Sequence, residues 1–189
     1  DGQIISQKSM TEPIDDDKAR HLIETILPQF VGQINQTPPM YSALKRDGKP
    51  LYEYARSRVE LEREPRQITI YSIQLLSMSW PYASIEVHCS KGTYIRVLAQ
   101  DIGQSLGCGA HLHALRRTAV GHLTLDQAIT LENLQAETVE PLPVDALLQT
   151  LPELTVDDQQ AKRLEMGQRV PCALHRASDW ANSLFRIYR

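Results

Sequence analysis

Helical periodicity is clear near the start of the chain. The segment Ile14 to Phe30 opens with Asp15, Asp16 and Asp17, whose negative charges suit the positive end of a helix dipole. Five apolar residues then recur at helical spacing and share one face: Ala19, Leu22, Ile23, Ile26 and Leu27. The pattern predicts an amphipathic surface helix that ends between Pro28 and Gly32.

From Arg66 onward the pattern becomes that of β-strands. Residues Ile68 to Trp80 are predicted to form one strand, and Ala83 to Cys89 alternate apolar with polar positions as a second strand. A weaker alternation predicts a further strand from His111 to Leu123. Together with the helices, these strands predict an α+β fold in which a mixed, mostly antiparallel sheet is flanked by helices.

A second helix follows these two strands. Thr93 is a suitable N-cap, Gly107 is a suitable C-terminal glycine, and the apolar residues between them have helical spacing: Ile95, Leu98, Ile102 and Leu106. Short helices are also predicted at Leu131–Ala136, capped by Thr130, and at Asp157–Met166. Residues 184–189 are predicted to be a strand with no successor. Pro141, Pro143 and Pro152 mark a boundary, which predicts one domain at 1–140 and a linker with the start of a small β-rich domain at 141–189.

Residues 33–66 look like an excursion from the compact core. Pro38-Pro39, Asp47-Gly48 and Pro50 interrupt regular structure repeatedly before Leu51 to Arg58 offer one or two helical turns. Tyrosines and cations are interleaved in this stretch, an arrangement that suits looped or single-stranded RNA, although tyrosines covering a hinge would look the same. The residues concerned are Tyr41, Lys45, Arg46, Lys49, Tyr52, Tyr54, Arg56 and Arg58.

Charge is distributed unevenly although the net charge is only −3. Residues 41–66 hold seven Lys or Arg against five acids, and residues 91–117 hold four against Asp101 alone. Between Thr118 and Ala161 there are eight acids and no Lys or Arg. Such segregation fits a protein that grips an anionic polymer on one face, although a segregation of this size also arises by drift.

Composition indicates a soluble cytoplasmic protein. No apolar run approaches the length of a membrane span, and the N-terminal residues do not resemble a signal peptide. Cys89, Cys108 and Cys172 are odd in number and widely spaced, which is typical of a reducing compartment.

The segment Lys91-Gly-Thr-Tyr-Ile-Arg96 places two cations where a helix begins. Positive charge is unfavourable at this end of a helix dipole, by about 0.3–1 kcal/mol for each cation. A nearby anion would reverse the sign, and Tyr94 could stack on a base. The alternative is an ordinary surface ion pair with one acidic residue.

Four motifs in order resemble the TruB family of bacterial tRNA pseudouridine synthases. They are Pro39-Met-Tyr-Ser-Ala-Leu-Lys45 with Leu51-Tyr-Glu-Tyr-Ala-Arg56, then the Lys91–Arg96 segment, Gly107-Cys-Gly-Ala-His111 and Leu115-Arg-Arg117. The resemblance implies that 1–140 is part of the catalytic domain, with 33–66 as a thumb-like RNA-binding insertion, and that 141–189 begins a PUA-like RNA-binding domain. It also implies that the substrate is the T-arm of tRNA and that no cofactor or metal is needed.

The resemblance carries roles onto particular residues. Arg96 would pair with the nucleophilic aspartate of the family, Tyr94 would contact the target base and donate its hydroxyl, and Leu115 would pack against the same ring. Lys91 would hold the aspartate or a phosphate, and Arg116 and Arg117 would face either the RNA backbone or a core carboxylate. The remaining expected RNA contacts are Tyr41, Lys45, Lys49, Tyr52 and Arg56.

The nucleophile itself is not in this sequence. The family holds it in a Gly-His-x-Gly-x-Leu-Asp-Pro context, and no Asp-Pro pair occurs here. Since Asp1-Gly2 resembles a point just downstream of that motif, we expect the aspartate in an upstream segment and expect this chain alone to be inactive.

The sequence admits three other interpretations. Cys108, His111 and His113 lie close together, but His88 and Cys89 do not complete a recognised zinc spacing. Cys89 alternates with core-facing residues and is expected to be a buried small hydrophobe rather than a nucleophile. The remaining alternative to the enzyme is a non-catalytic RNA-binding module.

Overall fold

A computed structural model describes residues 15–136, 140–171 and 184–189. The chain forms two compact units, Asp1–Leu115 and Arg116–Arg189. This division comes earlier than the predicted domain boundary after residue 140, and the assignment of 141–189 to a PUA-like domain stays a prediction. Cys172 lies outside the described residues.

The described part of unit one, residues 15–115, contains three helices and five strands. The helices are α1 (Asp16–Ile26), which continues into a 3₁₀ turn at Leu27–Phe30, α2 (Leu51–Arg56) and α3 (Ile95–Ser105). The strands are β1 (Gly32–Gln36), β2 (Lys45–Arg46), β3 (Lys49–Pro50), β4 (Arg66–Ser79) and β5 (Tyr82–Cys89). The predicted first helix, both long strands and the second helix are therefore confirmed as elements.

The main sheet of unit one has the order β1-β4-β5 and is antiparallel throughout. Gly32 pairs with Ile70 of the central strand, and Ile70 pairs with Cys89 on the other side. Helices α1 and α3 bury their apolar faces in one core with this sheet. The buried residues of this core are Ile23, Leu27, Ile68, Ile70, Leu98 and Ile102, of which Ile70 and Leu98 are completely inaccessible to solvent.

The placement of residues 33–36 in the insertion was wrong. They form β1, which pairs with β4 along Gly32–Gln36. This segment is mostly polar, with Ile34 as its one large apolar residue, so local periodicity does not reveal it. The partner strand β4 supplies the hydrogen bonds that make it a strand, and the excursion begins after Gln36.

The excursion itself contains a tight hairpin. Strands β2 and β3 pair through a two-residue turn in which Asp47 and Gly48 have φ of 52° and 77°. Positive φ at both central positions matches the twist of antiparallel strands, and Asp-Gly is a favoured sequence for such a turn. Helix α2 follows directly, as the sequence predicts.

Unit two is built from short elements. They are β6 (Ala119–Val120), β7 (Leu123–Thr124), α4 (Leu131–Ala136), β8 (Glu153–Thr155), α5 (Asp158–Glu165) and β9 (Arg186–Tyr188), with 3₁₀ turns at Leu125–Gln127 and Ala146–Leu148. The Thr130 cap of α4 is confirmed by the Asn133 N–H, which donates to its Oγ1. Asp157 caps α5, and β9 pairs in parallel with β8, a strand that the sequence analysis missed.

The predicted strand from His111 to Leu123 was also wrong. Residues 111–118 have no regular secondary structure, and the chain then turns at Gly121, where β6 pairs with β7. Gly121 has a φ of 59°, a conformation that favours glycine and places a turn inside the predicted strand.

Candidate functional site

The turn between β5 and α3 is anchored to the central strand of the sheet. The Ser90 N–H donates to the Thr69 carbonyl at 2.8 Å, and the Ser90 Oγ accepts from the Thr69 N–H at 2.9 Å. The Thr93 hydroxyl donates to the Ser90 carbonyl at 2.9 Å. Gly92 has a φ of 84°, which closes the turn. The segment that carries Lys91 is thus held against β4 by backbone and hydroxyl hydrogen bonds.

Helix α3 begins one residue later than predicted, because Tyr94 and not Thr93 is its N-cap. The Thr93 hydroxyl is occupied by the turn, and the Tyr94 side chain makes no capping hydrogen bond. The Tyr94 backbone is bound instead by Gln36 at the end of β1. Its Oε1 accepts from the Tyr94 N–H at 2.7 Å, and its Nε2 donates to the Tyr94 carbonyl at 3.2 Å.

Gln36 is the site residue that sequence reasoning missed. It is 2% exposed, and its partner is 58 positions away in the chain. A single glutamine in a polar segment carries no periodic signal, so only the pairing of β1 with β4 brings it to α3.

Arg96 lies in the first turn of α3 and reaches the excursion. Its Nη2 donates to the Tyr41 carbonyl at 2.7 Å, and its side chain is exposed. The structure thus brings Tyr94, Arg96 and the Tyr41 backbone together. The sequence alternative of a surface ion pair is not observed for Arg96 within the part of the chain that is described.

The hairpin and α2 arrange tyrosines against cations. The Lys49 ammonium lies 4.8 Å from the centroid of the Tyr54 ring, and the Arg56 guanidinium lies 5.2 Å from that of Tyr52. Lys49 also approaches Glu53, with a nitrogen to oxygen distance of 3.9 Å. Such contacts at exposed sites are worth about 0.5–1 kcal/mol each and limit the freedom of long side chains. Lys49 and Arg56 are thus placed against aromatic rings in the free chain.

Several predicted cations remain without an acidic partner. Among the residues that the structure describes, Lys45, Lys91, Arg116 and Arg117 form no ion pair. All four side chains are exposed. Unpaired exposed cations are available to an anionic ligand without the loss of an internal contact.

Leu115 closes unit one, and Arg116 opens unit two. Leu115 is 63% exposed and follows an irregular segment that begins where α3 ends. That segment is held close to the helix: the Gly109 N–H donates to the Gly103 carbonyl at 2.9 Å. Gly103 is buried, and a Cβ at this position would lie 2.1 Å from the Ala110 nitrogen. The path toward Leu115 therefore depends on the absence of a side chain at Gly103.

A cavity of about 150 Å³ lies elsewhere in unit one and contains none of the predicted site residues. Its lining is mostly apolar and includes Leu22, Trp80, Leu106 and Cys108. Within the described ranges no cluster of three or more His, Cys, Asp or Glu side chains is arranged to hold a metal ion. No described helix is both long enough and apolar enough to cross a membrane.

Two protein-family models match this chain. The family model described as "TruB family pseudouridylate synthase (N terminal domain)" matches residues 1–95, and "tRNA pseudouridylate synthase B C-terminal domain" matches residues 96–152. The chain belongs to the TruB family. The resemblance inferred from the four motifs is thereby confirmed. The first match ends at Ile95 and the second begins at Arg96.

Curated relatives of this TruB-family chain are named "tRNA pseudouridine synthase B". The protein of Ralstonia pickettii (strain 12J) is 53% identical over 161 residues, which cover 80% of this chain and 51% of the relative. That of Burkholderia lata is 51% identical over 176 residues, covering 90% and 53%, and that of Burkholderia mallei (strain NCTC 10247) is 54% identical over 153 residues, covering 78% and 51%. The TruB-family chain spans about half the length of these relatives.

A solved structure shares the fold of the TruB-family chain. It is described as "Crystal Structure of a Cbf5-Nop10-Gar1 Complex", and the match has a TM-score of 0.60 with 26% sequence identity. The match covers 82% of this chain and 45% of the solved one. With the antiparallel pairing of β1, β4 and β5, it confirms the α+β fold predicted from the sequence.

Proposed function

We propose that the protein to which this chain belongs converts a uridine in the T-loop of tRNA to pseudouridine. The names of relatives at 51–54% identity support the reaction class. The observation that carries the proposal is the start of α3, where Tyr94 is fixed by the sheet and Arg96 lies beside it with no acidic partner among the described side chains. An anion is the natural complement of that arrangement.

Arg96 is proposed to pair with the nucleophilic aspartate. The isomerisation breaks the bond between the ribose and N1 of uracil, turns the base in the pocket and rejoins it through C5, which loses its proton while N1 gains one. Arg96 uses one guanidinium nitrogen on the Tyr41 carbonyl, and arginine presents five N–H donors in total. The remaining donors suffice for a bidentate contact with a carboxylate.

Tyr94 and Leu115 are proposed to hold the target base. The Tyr94 side chain is half-buried, and its backbone is held on both sides, which limits the positions that its ring can occupy. Leu115 is largely exposed and can pack against the face of a base that enters the site. A base within a folded loop must be extruded before it reacts, because stacking hides its reacting atoms.

The excursion is proposed to grip the T-arm. Lys45 and Lys49 lie on the two strands of the hairpin, where Lys45 pairs with Pro50 and Arg46 with Lys49. Tyr41, Tyr52, Arg56, Lys91, Arg116 and Arg117 complete the proposed contacts. Where a tyrosine and a cation are already in contact, binding loses less side-chain entropy than it would with freely rotating side chains.

The nucleophile is proposed to lie in a segment of the protein outside this sequence. This agrees with the span of the chain, which is about half that of its curated relatives. We propose accordingly that this chain alone binds RNA without modifying it, that the complete protein works in the cytoplasm, and that no cofactor is required.

Replacement of Arg96 by alanine in the complete protein tests the proposed role. Loss of a donor aimed at the reacting centre is expected to lower the single-turnover rate of pseudouridine formation at least about 100-fold, with tRNA affinity changed less than about 3-fold. Arg20 is a matched control, since its ion pair with Glu24 on α1 involves no predicted site residue. Equal losses of rate and affinity in Arg96→Ala would remove Arg96 from the chemistry.

The double variant Lys45→Ala with Lys49→Ala tests the RNA grip. Loss of two phosphate contacts should weaken tRNA binding and reduce the slope of log affinity against log salt by about 1.5, with the rate of the bound complex retained. The variant Lys18→Ala with Arg20→Ala removes the same charge from α1 and should leave the slope unchanged. A slope that stays the same in the hairpin variant would exclude these lysines from the interface.

The remaining candidate is an RNA-binding module without activity. The unpaired cations and the hairpin suit that function equally well. Mass spectrometry cannot detect the isomerisation directly, because uridine and pseudouridine have the same mass, so release of tritium from C5-labelled uridine in tRNA is the better assay. Release by the complete protein supports the enzyme, and tRNA binding without release supports the module.

A further inference from the structure

Within the described part of the chain, the buried amide of Gln36 makes two hydrogen bonds, both to Tyr94. Its oxygen accepts from the Tyr94 N–H and its nitrogen donates to the Tyr94 carbonyl, at 2.7 and 3.2 Å. One orientation of the amide satisfies both contacts, because the N–H needs an acceptor and the carbonyl needs a donor. The contact therefore fixes a direction as well as a distance.

This pair of bonds holds the backbone of the N-cap residue and leaves the first turn of the helix without a side-chain cap. An N-cap side chain usually accepts an N–H from the first turn of its own helix, which Tyr94 does not do. The Tyr94 carbonyl already accepts from the Val97 and Leu98 N–H groups at 3.0 and 3.1 Å, and Gln36 adds a third donor from β1. The N-cap residue of α3 is thus tied to strand β1 of the main sheet.

If packing alone mattered at position 36, an apolar side chain would stabilise the folded protein more than a glutamine does. Burial of an amide is unfavourable unless its hydrogen bonds are formed, and an apolar residue of similar size would fill the same space. The turn before Tyr94 is already anchored through Ser90 and Thr69. What the amide adds is control of the backbone at Tyr94 itself.

We infer that Gln36 is a positioning residue that orients Tyr94 for catalysis. The inference rests on the proposed role of Tyr94 in the isomerisation. A rotation of the Tyr94 peptide would move its hydroxyl by an ångström or more, and misplacement on that scale costs about 100-fold in rate. Gln36 acts through Tyr94 and needs no contact with RNA.

Gln36→Met in the complete protein is the test, because methionine keeps the volume and removes both hydrogen bonds. The single-turnover rate at saturating tRNA is expected to fall about 10- to 100-fold, with the tRNA Kd changed less than about 2-fold. Backbone amide exchange at Tyr94 should become faster than in the wild type, since its N–H loses its acceptor.

Ile23→Val separates positioning from general stability. Ile23 is buried in the core on α1 and takes no part in the candidate site, so the loss of one methyl group weakens the fold and leaves the Gln36 contact intact. Its rate is expected to change less than about 3-fold. Equal rate losses at equal loss of melting temperature in the two variants would overturn the inference, as would a wild-type rate in Gln36→Met.

Failure of the proposed function gives a different result. If the wild-type complete protein forms no pseudouridine, the proposed function is refuted whatever the variants do, and the catalytic role of Gln36 falls with it. If the wild type is active and Gln36→Met is equally active, only the inference on Gln36 is refuted.

Discussion

For Gly103→Ala, helix propensity and packing predict opposite effects on the stability of the protein. Alanine is favoured over glycine inside a helix by about 1 kcal/mol, so propensity alone predicts a more stable protein. In this structure, however, the new Cβ would lie 2.1 Å from the Ala110 nitrogen and 2.3 Å from the Gly109 carbonyl carbon. Real Cβ atoms essentially never come closer than 3.0 Å, so the backbone at 109–110 must move by about 1 Å.

The expected magnitude follows from these distances. Overpacking of this kind costs about 1–3 kcal/mol, and displacement of residue 109 weakens its hydrogen bond to the Gly103 carbonyl, worth about 1 kcal/mol. After the gain in propensity is subtracted, the free energy of unfolding should fall by about 1–3 kcal/mol.

Urea unfolding followed by circular dichroism measures the change. Gln100→Ala is the matched control, because Gln100 is exposed on the same helix and its replacement should stay within about 0.5 kcal/mol of the wild type. A Gly103→Ala protein as stable as the wild type, or more stable, would refute the close approach of α3 to residues 109–110.

Two further predictions concern pH. Burial raises the pKa of Asp101, so the charged carboxylate disfavours the folded state at neutral pH. Asp101→Asn should therefore raise the melting temperature at pH 7. This gain should shrink as the pH falls through the folded pKa of Asp101, because the carboxyl group then becomes neutral in the wild type as well. The hydrogen bond from the Tyr188 hydroxyl, with Arg186 beside it, lowers the pKa of Asp145 below its usual 3.8, so its stabilising effect is present above that value and is lost as pH falls through the lower folded pKa. Acid titration of thermal stability should therefore show a smaller loss in Asp145→Asn than in the wild type, and an identical loss would contradict the contact.

Local patterns in the sequence predicted the elements whose signals lie within them. Helix α1 has acids at its start and an apolar stripe, and Asp15 caps it through the Lys18 N–H at 2.7 Å. The Asp47-Gly48 turn, the capping by Asp157 and the glycine that follows α3 are also local features. Each depends on the conformational preference of one or two residues, and that preference follows from the residue type alone.

The motifs likewise located much of the candidate site. The cations of the segment from Lys91 to Arg96 oppose the helix dipole, which marks it as a candidate anion site. The structure places this segment at the start of α3, without an acidic partner for Arg96 in the described ranges. What the motif could not reveal is the partner that Arg96 does have, the Tyr41 carbonyl, which is 55 residues away.

Tertiary structure decided the features that join distant segments. Strand β1 exists because β4 pairs with it, and this pairing brings Gln36 to the Tyr94 backbone. Residues 111–118 follow an irregular path in place of the predicted strand, and no strand of the described ranges pairs with them.

The sequence by itself therefore determined the helices, turns and charged motifs, because their energetics depend on near neighbours in the chain. Only the folded protein decided the N-cap of α3, the polar edge strand and the close contact at Gly103. Those features depend on hydrogen bonds and steric contacts between residues far apart in sequence, and no local pattern records them.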